Sequence, residues 1–186
     1  MAVANALPSA RAGARLDFDE VYEQNLSFVW RVLAGAGVPE HRLEDAAQDV
    51  FVVVHGKLAE FEGRSKLTTW LYGIARHVAL DVVRKVARER RRQREMAEAP
   101  EREGAAPSPE ETAGEVEARR VLLGLLERIE PRRREVFVLV EVEGIPVREV
   151  AGMLKIKENT AWSRLRLARE DFERHVARMR AREGTP

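Results

Sequence analysis

Glu44, Asp45 and Asp49, with His41 one turn ahead of them, gather three carboxylates and an imidazole within a short stretch of this 186-residue chain. On a helix these side chains share one face, and the like charges at Asp45 and Asp49, four residues apart, repel slightly. Something that compensates them is therefore expected: a divalent cation, a basic partner surface, or simply solvent. A bound cation would make the site a metal-dependent nuclease, which needs converging ligands and an activated water. No nucleophile or general base accompanies the carboxylates, so docking onto a basic surface suits them better. Gln48 belongs to the same acidic face.

A second constellation follows. Phe61, Arg64, Lys66, Trp70, Tyr72, Arg76, His77 and Arg84 mix aromatic and basic side chains, a combination that stacks unpaired bases while cations follow a backbone. The bland readings are that Trp70 and Tyr72 cap a small core and that His77 pairs with Asp81. Gly73 lies within this stretch and costs about 1 kcal/mol relative to Ala inside a helix, which close approach of another backbone would explain.

The third is VREVAGMLKIKENTAWSRLRLA, from Val147 to Ala168. Val147, Val150, Ala151 and Leu154 share one helical face, Ile156 plugs a turn, and Ala161, Leu165 and Ala168 continue the stripe on a second helix. Asn159, Trp162, Ser163 and Arg166 then face outward, as in a helix-turn-helix whose second helix enters the major groove. Arg164, Arg166 and Arg169 supply phosphate-binding charge. The turn holds Lys155 where glycine is usual, so a residue with a side chain must adopt strained dihedrals or the turn must take another path.

These groups need elements to hold them, and helical periodicity supplies them. Phe18, Val21, Tyr22, Leu26, Val29 and Leu33 mark one helix; Leu43, Ala47, Val50, Phe51, Val54 and Leu58 mark a second, opened by Pro39. A third carries Leu67, Leu71, Ile74, Ala75, Val78, Val82 and Val86, with Ser65 as its expected N-cap. It ends in a basic run from Arg84 to Arg94, after which Glu, Pro and Gly dominate to about residue 115. That segment reads as a linker able to span at most about 70 Å. Beyond it, Val121, Leu122, Leu125, Leu126 and Ile129 form a helix, and Pro131 opens another that stops near Gly144. The fold expected is all-α: two small helical domains joined by a flexible linker, the second containing a helix-turn-helix. The boundaries are a tail to residue 15, a first domain at 16–94, the linker at 95–115, a second domain at 116–182 and a tail at 183–186. The formal net charge of +1 conceals segregated charge, and the absence of cysteine excludes a disulfide framework and agrees with a cytoplasmic protein. No apolar run long enough to span a membrane is present.

In order, DAAQDVF, the run F-x-G-x-S-x-x-x-T-W-L-Y-x-I-A-R, a linker and a helix-turn-helix ending S-R-L-x-x-A-R resemble the two conserved regions of bacterial extracytoplasmic-function sigma factors. The resemblance implies a promoter-specificity subunit of RNA polymerase with no catalytic chemistry and no cofactor. On that view Asp45, Gln48 and Asp49 bind the coiled coil of the polymerase beta-prime subunit, and the beta subunit is a further partner. Phe61, Arg64, Ser65, Lys66, Trp70, Arg76, His77 and Arg84 open and read the minus-10 element. Glu158, Asn159, Thr160, Trp162, Ser163, Arg164 and Arg166 face the minus-35 element, and the acidic linker threads toward the RNA exit path. An anti-sigma factor is the implied regulator. The chain departs from the family pattern at His77, where Asn is frequent, at Gly73, where Arg is frequent, and at Trp162, where Lys or Arg is usual. Lys155 and Lys157 replace the usual turn residues. The competing reading is a stand-alone helix-turn-helix regulator, which would bind a palindromic duplex as a dimer.

Overall fold

A computed structural model describes residues 16–95 and 113–183. The expected tails and nearly all of the acidic linker lie outside those residues. The chain divides into two compact units: of the described residues, 16–33 and 38–95 fall in the first, and Ala34–Gly37 with 113–183 in the second. Among the described residues every regular element is helical.

In the first unit α1 spans Phe18–Gly35, α2 Leu43–Lys57 and α3 Leu67–Glu95. Asp17 caps α1: its Oδ1 accepts from the backbone N–H groups of Asp19 and Glu20 at 2.9 and 3.2 Å. Such a cap contributes about 1 kcal/mol by satisfying donors that the helix leaves open. Pro39 leads into a short 3-10 turn at Glu40–Arg42 before α2 begins. The apolar stripes meet as the periodicity predicts, with Val29, Leu33, Leu43, Val50, Val54, Leu71 and Ala75 fully buried. At the start of α1, the Phe18 and Tyr22 rings pack edge-on against Phe51, and Phe18 also meets the His55 ring at 4.9 Å. Ser65 is not the N-cap of α3. The helix starts at Leu67, Lys66 stands just before it, and the Trp70 N–H donates to the Lys66 carbonyl at 3.1 Å.

The second unit holds α4 (Ala113–Glu127), α5 (Pro131–Phe137), a π-helical turn at Val138–Val142, α6 (Val147–Leu154) and α7 (Glu158–Glu183). Glu130 caps α5 by accepting from the Arg133 N–H, with Pro131 in the first helical position. The π turn was not legible in the sequence; the chain then stops at Gly144, whose φ of 67° only glycine adopts freely. Leu126, Ile129, Phe137, Val138 and Ala168 form the centre of the core, with Leu122 and Phe172 against it. Arg134 was not singled out by periodicity, yet it is only 7% exposed. Its Nη2 donates to the carbonyls of Glu127 and Ile129 at 2.9 and 3.0 Å, so it closes the C-terminal end of α4. Burial lowers its pKa from the ordinary arginine value, against the opposing pull of Glu127 and Glu130.

The turn between α6 and α7 takes the strained course. Lys155 sits at φ 54°, ψ 44°, in the left-handed region. The Lys155 N–H donates to Gly152 and the Ile156 N–H to Ala151, the double closure that ends many helices on glycine. Gly37 makes the same closure after α1, through Ala34 and Leu33, at φ 93°. Lys155→Gly is therefore expected to stabilise this unit by about 1 kcal/mol. Its melting midpoint should rise by roughly 4–8 °C, read by thermal circular dichroism.

Candidate functional site

The acidic face is built as its spacing requires. Leu43, Ala46, Ala47, Val50 and Val54 bury one side of α2, which leaves Glu44, Asp45, Gln48 and Asp49 exposed on the other. They lie along a helix rather than converging, and among the described residues no three His, Asp or Glu side chains group as metal ligands would. One residue of this face was missed. Val52, one turn beyond Gln48, is 71% exposed. Its signal in the sequence is an apolar side chain in register with Asp45 and Gln48 on the polar side of the helix. An exposed apolar group beside a row of carboxylates suits a docking patch, since it gains from desolvation while the charges set specificity.

The loop ahead of α3 brings together part of the aromatic and basic group. Phe61 and Trp70 lie with ring centroids 5.1 Å apart, both half-buried, and Gly63 turns the chain between them at φ 70°. Arg64, Ser65 and Lys66 are exposed beside that pair. Arg64 Nε is 2.7 Å from Glu62, but an exposed ion pair is worth little and yields readily to a phosphate. For Tyr72 the core reading is the one observed: it is 2% exposed. His77 does meet Asp81, at 3.5 Å, and Asp81 also meets Arg84 at 3.5 Å. Both contacts are exposed and weak, so the His77 and Arg84 side chains stay available, whereas Arg76 is half-buried. Gly73 is not explained by a close approach, because a Cβ built there meets nothing within 4 Å among the described residues.

In the second unit α6 and α7 pack as a helix-turn-helix, with Val147, Val150, Ala151, Ala161 and Leu165 buried between them and the rest of the core. At the start of α7, Glu158, Asn159, Trp162, Ser163 and Arg166 are exposed on one side, while Thr160 and Arg164 are half-buried. The charge of this helix is more committed than the sequence implies. Arg166 Nη1 lies 2.5 Å from Glu170. Arg169 is tied by two contacts, at 2.9 and 2.6 Å, to Glu141 in the π turn. Farther along, Asp171 accepts from Arg133 and Arg174, at 3.0 Å each, bracing α7 against α5. Arg169 is thus a structural tie. The Ser163 hydroxyl donates back to the Asn159 carbonyl.

Residues 21–89 match the family model Sigma-70 region 2, and residues 119–172 match Sigma-70 region 4. The ferric citrate uptake sigma factor FecI of Escherichia coli K12 is 31% identical over 150 residues, covering 79% of this chain and 83% of FecI. The extracytoplasmic-function sigma factor SigX of Bacillus subtilis is 32% identical over 124 residues, covering 64% of this chain and 63% of SigX. The chain belongs to the extracytoplasmic-function sigma factors. Two solved structures share its fold. RpoE of Bartonella quintana, crystallised with the anti-sigma factor NepR, superposes with a TM-score of 0.67 at 21% identity, covering 87% of this chain and 97% of that one. CnrH, in complex with the cytosolic domain of CnrY, gives 0.61 at 21% identity over 91% and 94% of the two chains. In this sigma factor the region 2 match holds the acidic face and the aromatic loop, and the region 4 match holds α6 and the first part of α7. No helix among the described residues is long and apolar enough to cross a membrane.

Proposed function

We propose that this chain is a promoter-specificity subunit that binds core RNA polymerase, positions it on promoter DNA and helps to open the duplex, without catalytic activity of its own. The observation that carries the reading is the separation of surfaces: an acidic face that ends on an exposed valine in region 2, and an outward-facing helix at the start of α7 in region 4. An acidic face repels DNA and fits a basic protein surface, so a lone DNA-binding regulator leaves it unexplained. Asp45, Gln48, Asp49 and Val52 would dock on the beta-prime coiled coil, with the beta subunit a further contact. Phe61, Arg64, Ser65, Lys66, Trp70, Arg76, His77 and Arg84 would engage the minus-10 element; Glu158, Asn159, Thr160, Trp162, Ser163, Arg164 and Arg166 the minus-35 element. The domain limits given above, with a linker at 95–115, suit one chain reaching two promoter elements. The protein would act in the cytoplasm under the control of an anti-sigma partner, a reading supported by the structural likeness to RpoE, which was crystallised with the anti-sigma factor NepR.

The test is to mix the purified chain with core polymerase and a library of upstream sequences. Stable holoenzyme with defined start sites is expected; failure to assemble would defeat the reading. Within such a holoenzyme, Phe61→Ala with Trp70→Ala should slow promoter opening by about tenfold, since each stacked base contributes about 1–3 kcal/mol. Fluorescence of 2-aminopurine placed in the melted segment reads it. Unchanged opening would remove these rings from the site.

A further inference from the structure

Trp162 is 50% exposed, the large apolar side chain that α7 leaves in solvent. It stands one turn into the helix, on the side that carries Glu158, Asn159 and Arg166. It is held by no ring contact among the described residues, whereas the Phe137 and Phe172 rings of the same unit are 5.0 Å apart. Two of the arginines that follow it have acidic partners. Arg166 is engaged by Glu170 one turn on, and Arg169 is drawn aside to Glu141. The outward side of the leading part of this helix therefore presents one flat apolar surface among polar and charged groups.

The major groove presents one apolar group to such a surface, the C5-methyl of thymine. Guanine offers two acceptors there and calls for a bidentate cation, which an indole cannot replace; its single N–H donor lies on the ring edge. We infer that Trp162 is a specificity-determining residue of the upstream element and selects thymine at the position it covers, through the methyl group. This rests on the DNA-reading role proposed above for α7.

Deoxyuridine is the probe, because it removes the methyl and keeps every hydrogen-bonding group of thymine. Duplexes would be selected from a randomised library by the holoenzyme of the full chain, then rebuilt with each thymine replaced in turn by deoxyuridine. At one position the replacement should weaken binding about fourfold, the value of one buried methyl-sized group. With W162A that sensitivity should vanish, while replacements elsewhere keep their effects. With W162K it should also vanish, and the dependence of log affinity on log salt should steepen by about 0.9 if the new ammonium reaches a phosphate. Circular dichroism of both variants checks that α7 is intact. Equal deoxyuridine sensitivity in wild type and W162A, or none in wild type, overturns the inference while leaving the sigma-factor reading in place. A holoenzyme that selects no duplex overturns both.

Discussion

Replacing Asp45 and Asp49 together by lysine is expected to weaken binding of the chain to core polymerase by about a hundred- to a thousandfold. The reasoning starts on the helix. Both side chains are exposed on α2, so no core contact is lost, and two lysines four residues apart repel each other much as two aspartates do. One intrinsic penalty remains. Asp45 lies in the first turn of α2, where a negative charge favours the helix, and reversing it costs about 0.3–1 kcal/mol. The melting midpoint should therefore fall by only a few degrees. At an interface with a basic surface the same change replaces attraction with like-charge contact at two points, together costing about 3–4 kcal/mol. Affinity for immobilised core polymerase, measured beside duplex affinity of the same variant, separates the two effects. Val52→Ser, which changes no charge, should weaken polymerase binding less and leave its salt dependence unaltered. Loss of polymerase and DNA binding together would signify misfolding, and retention of full polymerase affinity would remove the acidic face from the docking surface.

The parts of the molecule that repeat along one helix were legible in the sequence. The stripes of α1, α2 and α3, the stop at Gly144 and the pairing of α6 with α7 each follow from spacing within a few residues. The acidic face was legible for the same reason, because the side of α2 opposite a buried stripe must be exposed. What escaped depends on partners far apart in the chain. Arg169 reads as a phosphate-binding group until Glu141, twenty-eight positions earlier, is seen to hold it. Tyr72 reads as part of an aromatic surface, but it lies next to Leu71 on the buried side of α3. Val52 escaped for the opposite reason. It sits inside the apolar run Val50-Phe51-Val52-Val53-Val54, which hides it, and only its exposure shows that the core does not need it. The π turn at Val138–Val142 adds a residue to the helical register without any local signal such as proline.

Arg134→Met is expected to cost the second unit about 3 kcal/mol, the largest stability loss foreseen for any single side chain here. Methionine fills much of the volume of the arginine stem but offers no donors, so the change isolates the hydrogen bonds from packing. The Ile129 carbonyl, in a buried hydrogen bond, and the Glu127 carbonyl, in a part-buried one, would lose their partner at the end of α4. Each unsatisfied buried carbonyl costs about 1–3 kcal/mol. Working against this, the guanidinium itself is expensive to bury, as its lowered pKa records. Replacing it with an apolar side chain recovers that desolvation cost, so the sign of the outcome turns on which effect wins. Two carbonyls held at 2.9 and 3.0 Å by a single planar fork favour the hydrogen bonds, because the geometry satisfies both at once. The melting transition of α4–α7 should then fall by roughly 12–24 °C. Arg134→Lys should recover little of it, since a single ammonium on a flexible stem does not reproduce the fork. The functional readout follows from what α4 and α5 support. Both pack against α7, so, on the proposed reading, loosening them should weaken duplex binding by the start of α7 before it affects polymerase binding by the acidic face of α2. A methionine variant that melts with the wild type would mean that desolvation cancels the bonds, leaving Arg134 as a filler of space rather than the closure of α4.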